Sequence, residues 1–190
     1  MSGPSPQLAL RLGLLGIVTV IVQIAAVGQL DVFGSNADIT PLVVASAGLL
    51  CGSLTGAGYG FAVGLFVDMA LVQTLGVSSL LYLAIGYGAG RVQELRDPQG
   101  AAVPVVVGAV ATFIAIVGFL LLQFLLGVDA PVSWELAWEI LVTVLINAAL
   151  AVPVFWAVRR WLTPALPEDP RRRRRRAYTT GGLSPLSRAR

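Results

Sequence analysis

The sequence predicts an all-α integral membrane protein with six transmembrane helices, on three observations. The chain of 190 residues is 56% hydrophobic and 12% charged, with a mean hydropathy of +0.82, more apolar surface than a soluble core absorbs. The apolar residues gather into six stretches, at about 8–29, 41–57, 59–76, 77–91, 102–127 and 134–160. Six crossings place Arg11, Arg91, Arg96, Arg159, Arg160 and the C-terminal arginines on one side and Asp31, Asp38, Asp129, Glu135 and Glu139 on the other. Arginines confined to one side satisfy the positive-inside rule with both termini cytoplasmic; an odd number of crossings would split them.

Within the first stretch, the run Leu12 to Leu30 follows Arg11 and resembles a signal peptide, with Ala25, Ala26 and Gly28 near a cleavage point. Its apolar run exceeds the roughly 7–15 residues of a signal h-region, so it is read as an uncleaved first helix. The second, third and fourth stretches are short: at about 1.5 Å per residue they cross about 30 Å of hydrocarbon only with local thinning or shelter from neighbours. Thr40 before Pro41 reads as an N-cap and first helical position. Gly56-Ala57-Gly58-Tyr59-Gly60 reads as the turn between the second and third helices. Ser133 before Trp134 and Glu135 starts the sixth helix with a cap and a first-turn acid. Trp138 and Trp156 then lie about 27 Å apart along that helix, which suits two interfacial belts, with Asn147 midway.

Residues 1–161 thus form the transmembrane domain, and 162–190 are expected to be a disordered Arg-rich cytoplasmic tail. Pro164, Pro167, Pro170, Pro185 and the Thr179 to Leu183 stretch argue against packing there. The unbroken run Arg171 to Arg176 suits contact with anionic lipids, at about 1 kcal/mol for each near-surface arginine.

The formal charge of +3 comes entirely from arginine among the cations. These lie at helix ends or in the tail, so the charge reports topology, and no nucleic-acid partner is expected. Cys51 is single and within an apolar run, and the chain has no histidine, so neither a disulfide framework nor a Cys/His metal site is expected. The glycine run near Gly56 lacks the lysine and strand context of a phosphate cradle. Glu135 and Glu139 share a helix face, where dipole stabilisation and solvation account for them. The expectation is no enzyme: no catalytic residue, no cofactor, no metal.

Asp68 is the only charged residue between Asp38 and Arg91, near the middle of an apolar stretch. A carboxylate at the bilayer centre costs roughly 2.5–3.5 kcal/mol on insertion scales, so it is expected to face the bundle interior. Gly48, Gly52 and Gly56 recur at intervals of four, continued by Gly60, Gly64 and Asp68. An i, i+4 step overshoots a full turn by about 40°, so Gly60, Gly64 and Asp68 occupy one drifting face. Small residues at that interval let helices approach closely in lipid. The fourth stretch offers a matching face, Ser78, Tyr82, Gly86 and Gly90. Asp68 reads as a structural carboxylate hydrogen-bonded to Tyr82, Ser79 or Asn147, or as part of a partner contact; a proton relay would need a second intramembrane acid, Lys or His, and there is none. Gly60, Gly64, Asp68, Tyr82, Gly86 and Gly90 are therefore the candidates for helix packing or partner binding, with Arg91, Arg159 and Arg160 as the cytoplasmic anchor.

The block Gly60-Phe61, Gly64-Leu65, Asp68, Leu75-Gly76, Leu80, Gly86-Tyr87 and Gly90-Arg91 resembles the MreD family of rod shape-determining proteins. The resemblance implies a non-enzymatic scaffold of the cell-elongation and peptidoglycan-synthesis machinery, working with an MreC-like membrane partner and, beyond it, with MreB and cell-wall synthases. It also implies a fold similar to the six-helix substrate-binding subunits of energy-coupling-factor vitamin transporters, and such a subunit is the alternative function. That alternative needs a polar-lined cavity, for which Gln23, Gln73, Gln123, Thr143 and Asn147 are scattered over several helices, and a small-residue stripe on the first helix, for which Ala9 and Gly13 stand.

Overall fold

The computed structural model describes residues 5–27, 31–32, 35–36, 38–95, 102–127 and 134–166. Six α-helices make up the body: α1 (Pro6–Val22), α2 (Ile39–Cys51), α3 (Ser53–Ala70), α4 (Val77–Leu95), α5 (Ala102–Leu125) and α6 (Trp134–Leu162). A π-helical turn, Gln23–Val27, extends α1, and Asp31–Val32 pairs antiparallel with Ser35–Asn36 before α2. The helix count matches the six apolar stretches. By length and apolarity, the helical segments Pro6–Ala25, Ala102–Leu125 and Leu136–Ala165 are each sufficient to cross a membrane.

Apolar character on every side sends α2 to the centre. Residues from Thr40 through Leu49 are all buried, and α2 touches each of the other five helices. α3 and α4 form the closest pair, because glycines remove the side chains that would hold them apart. A β-carbon on Gly60 would overlap the Tyr82 carbonyl, one on Gly64 the Ser79 backbone, and one on Gly86 the Gly56 carbonyl. Gly48 brings α2 into the same seam, where a β-carbon would meet the Gly86 carbonyl oxygen at 2.5 Å.

Three boundaries correct the sequence reading. The turn between the second and third helices is at Gly52, whose φ of +88° breaks the chain between Cys51 and Ser53. Gly56 to Gly60 therefore lie within α3, where their smallness serves packing rather than turning. Asp38, not Thr40, caps α2: its carboxylate accepts the Thr40 N–H at 3.0 Å, and the helix begins at Ile39. The ordered body also runs past 161: a 3-10 turn, Thr163–Ala165, follows α6, Leu162 is fully buried, and Ala165 and Leu166 pack on the core. These apolar residues fold back over the start of α1. Arg96, Ser133 and 167–190, which include Arg171 to Arg176, lie outside the described residues.

The helices differ in reach. From Gly52, where they meet, α2 spans about 20 Å and α3 about 27 Å, whereas α5 and α6 extend about 36 and 43 Å. Asn147 of α6 touches Asp38, so the stretch Trp134 to Asn147, about 20 Å of helix, continues beyond the start of α2. The N-terminus of α2 is consequently flanked by α6, while the connection into α4, residues 69–76, is exposed up to the buried Val77, Ser78 and Ser79.

Candidate functional site

A helix start inside an apolar bundle leaves backbone N–H groups that water does not reach, and each must find a protein acceptor. At α2 the Ile39 N–H donates to Gln23 Oε1 at 3.0 Å and the Thr40 N–H to Asp38 Oδ1 at 3.0 Å. The third position, Pro41, has no N–H to satisfy. At α4 the acceptor is Asp68, which is fully buried. Its Oδ2 accepts the Gly76 N–H at 2.8 Å and its Oδ1 the Ser78 N–H at 3.2 Å. Gly76 adopts a φ of +99° to turn the chain back towards Asp68, a conformation open to glycine. A carboxylate is favoured there by the positive end of the helix dipole.

Asp68 does face the interior, but its hydrogen bonds run to backbone amides of α4 and not to the side chains of Tyr82, Ser79 or Asn147. Gly60 and Gly64 meet Tyr82 and Ser79, Gly86 meets Gly56, and Gly90 meets Ser53, all as backbone contacts within this chain. Tyr82 is buried, its hydroxyl directed towards Thr40. The six residues thus line one internal seam.

A second polar group gathers at the start of α2. Asn147 Nδ2 donates to the Asp38 carbonyl at 2.8 Å and to Thr112 Oγ1 at 3.0 Å. Thr112 Oγ1 in turn donates to the Gly108 carbonyl at 2.9 Å, so it accepts from Asn147. Both partners of the Asn147 amide demand a donor, which fixes the orientation of its side chain. Asn147 Oδ1 then has no hydrogen-bond partner among the described residues, although Asn147 is 0% exposed, whereas the buried Thr40 hydroxyl lies against the Asp38 carboxylate and the Tyr82 hydroxyl. Sequence reasoning placed Asp38 among the charges outside the membrane, read Thr40 as the N-cap and gave no role to Thr112. The signal was available in Asp38-Ile39-Thr40-Pro41, an acid two residues before the last free N–H and three before a proline.

The opposite end of the bundle carries the arginines. Arg11 of α1 donates to the Trp161 carbonyl at 2.7 Å, Trp161 Nε1 returns a bond to the Arg11 carbonyl at 3.3 Å, and the guanidinium lies 6.0 Å from the indole centroid. Arg160 lies 5.7 Å from the Trp156 ring, and Arg159 is exposed. Arg91 pairs with Glu94 at 2.9 Å, and Glu94 accepts the Ser53 hydroxyl at 2.6 Å and the Ser53 N–H at 3.2 Å. These bonds hold the Glu94 carboxyl below the usual glutamate range, Ser53 contributing more than Arg91. The exposed indoles of Trp156 and Trp161 beside arginines form the aromatic and basic girdle of a membrane boundary.

The chemistry of this interior is structural. Its polar groups terminate helices, and among the described residues no three His, Cys, Asp or Glu side chains converge to hold a metal. No curated protein and no solved structure matches the chain. A family model described as rod shape-determining protein MreD matches residues 7–161, from the start of α1 to the end of α6. A membrane body knit by glycine and matched along its whole helical length belongs to the MreD family, and its role is in rod-shape determination.

Proposed function

We propose that this protein is a non-enzymatic membrane scaffold of the cell-elongation complex that binds the membrane helix of an MreC-like partner. The family match over 7–161 carries the proposal. The internal seam of Gly60, Gly64, Asp68, Tyr82, Gly86 and Gly90 is filled by the chain's own backbone, so the partner docks outside it. A surface left open is an apolar cleft of about 540 Å³ between α4 and α5, lined mostly by Val and Ile side chains with Ala84, Gly88 and Ala111 among them. A β-carbon on Gly88 would meet nothing within 4 Å, and such surfaces favour close helix contacts in lipid. On this reading both termini are cytoplasmic, with the Arg91, Arg159 and Arg160 rim and the arginine tail against anionic lipid, near MreB and the cell-wall synthases. The likeness to energy-coupling-factor subunits is part of the same proposal, supported by the short central helices.

The test is depletion in a rod-shaped host, combined with affinity capture of the tagged protein. Rounded cells and recovery of the MreC-like protein support the scaffold. Unchanged shape, or capture of an ATPase module in its place, overturns it. Gly88→Leu, which fills the cleft, is expected to lower partner recovery at least about tenfold while leaving the monodisperse protein yield unchanged.

A further inference from the structure

We propose that the cleft between α4 and α5 is a binding site for one anionic phospholipid, with an acyl chain lying along the cleft and the phosphate at Arg91. The site stands on this chain's own geometry. Only its consequence, that the lipid must leave before a partner helix enters the same cleft, rests on the scaffold reading.

The lining selects a hydrocarbon chain. Every residue around the cleft is Ala, Gly, Val or Ile, so no side-chain polar atom is present to orient a water-soluble ligand. The volume of about 540 Å³ lies within the roughly 300–1,000 Å³ of sites that enclose small ligands. On α4 the lining runs from Ala84 to Val92, about 12 Å, and on α5 from Ala102 to Ile114, about 18 Å. The cleft is therefore a slot along the helices, the direction in which acyl chains run in a bilayer. Gly88 opens it, since a β-carbon there would meet nothing within 4 Å.

The charge at one end selects the headgroup. Arg91 continues the face of α4 that carries Ala84 and Gly88, at i, i+4 and i+7, and it precedes the lining residue Val92. Its side chain is 53% exposed. Glu94 accepts from one terminal nitrogen of Arg91 at 2.9 Å, but the same carboxylate also accepts the Ser53 hydroxyl at 2.6 Å and the Ser53 N–H at 3.2 Å. A guanidinium has five N–H donors in a planar fork, so it holds phosphate oxygens while keeping its bond to Glu94. An anionic headgroup brings only negative charge to this point, whereas a zwitterionic one also brings a cation beside the arginine.

The experiment uses the full chain in maltoside micelles, with native mass spectrometry counting bound lipid as phosphatidylglycerol or phosphatidylcholine of the same chains is added. The parent is expected to hold one phosphatidylglycerol at a concentration about tenfold below that needed for phosphatidylcholine. Lysophosphatidylglycerol, which has one chain, is expected to displace it, and glycerol phosphate, which has none, is expected not to. Arg91→Gln is expected to remove the preference between headgroups, and Gly88→Leu, which fills the slot, to lower phosphatidylglycerol occupancy about tenfold. Equal retention of the two lipids by the parent, displacement by glycerol phosphate, or undiminished occupancy in Gly88→Leu overturns the proposal. If Gly88→Leu does not yield folded protein, Ala84→Leu at the other end of the slot tests the same filling. Partner recovery does not enter this readout, so failure of the lipid site and failure of the scaffold reading are separate outcomes.

Discussion

The carboxylate of Asp68 accepts the backbone N–H of Ser78 at 3.2 Å, together with that of Gly76 at 2.8 Å, so an acid near the end of α3 caps the beginning of α4. Removing it leaves the buried Ser78 amide without an acceptor, at a cost of about 1–3 kcal/mol, and the part-buried Gly76 amide with it, at less. Asp68→Ala is expected to lower stability by about 2–4 kcal/mol, measured as Tm in nanodiscs. Asp68→Asn keeps one acceptor oxygen and is expected to lose less than half of that. Equal losses for the two variants would show that the negative charge, rather than hydrogen bonding, dominates.

Gly60 and Gly58 are two positions apart in α3 and face different surroundings. A methyl on Gly60 would overlap the Tyr82 carbonyl, while one on Gly58 meets nothing within 4 Å. Gly60→Ala is expected to destabilise by about 2–3 kcal/mol, because backbone must move to admit it. Gly58→Ala is expected to change stability by less than about 1 kcal/mol, with a small gain from helix propensity. Unfolding in graded denaturing detergent compares the two directly, and equal behaviour would deny that the seam is close-packed.

Arg11 and Trp161 join the first and last helices by a reciprocal pair of bonds. Trp161→Phe removes the Nε1 donor and weakens the ring's hold on the guanidinium while keeping its bulk. We expect faster amide exchange at the start of α1, with the α3 and α4 amides unchanged, and a loss of about 0.5–1 kcal/mol for this exposed contact. Uniform acceleration across all helices would instead mark the clasp as part of the global core.

Glu94 responds to pH in a defined sense. Its carboxyl is held below the usual value of 4.5 by Ser53, with Arg91 adding less. A group whose pKa is lowered on folding contributes stability above its unfolded pKa and loses it as pH falls through the folded one. The Tm difference between the parent and Ser53→Ala is therefore expected to be constant from pH 8 to about 6 and to shrink below about 4. A difference that grows on acidification would exclude Glu94 as the partner of Ser53. The group is exposed, so the effect is small and diminishes with salt.

Much of the candidate site was legible in one dimension. Gly60, Gly64 and Asp68 at intervals of four, opposite Ser78, Tyr82, Gly86 and Gly90, specify a seam because helical periodicity puts them on one face. The same periodicity is silent about where a helix ends among glycines. Gly52 and Gly56 are alike as letters, and only the first takes a positive φ, because the packing of Gly56 on Gly86 keeps the second helical. The capping role of Asp38 was missed for a related reason. Charge patterning assigns residues to sides of a membrane, but it does not reveal that a short helix can begin within the bundle's depth.

The sequence by itself determined the class, the helix number and the gathering of arginines at helix ends, since these follow from composition, apolar run length and the cost of charge in lipid. It also determined that Asp68 turns inward. Only the tertiary structure decided what the inward groups do. Asp68 takes backbone amides of α4, Gln23 and Asp38 take those of α2, and Asn147 reaches across from α6 to fix the start of α2. The Asn147 bond joins residues 109 positions apart, and even the shorter-range bonds of Gln23 and Asp68 link separate helices. No local pattern selects among such partners, and the choice falls to whichever buried donors the packed helices leave unsatisfied.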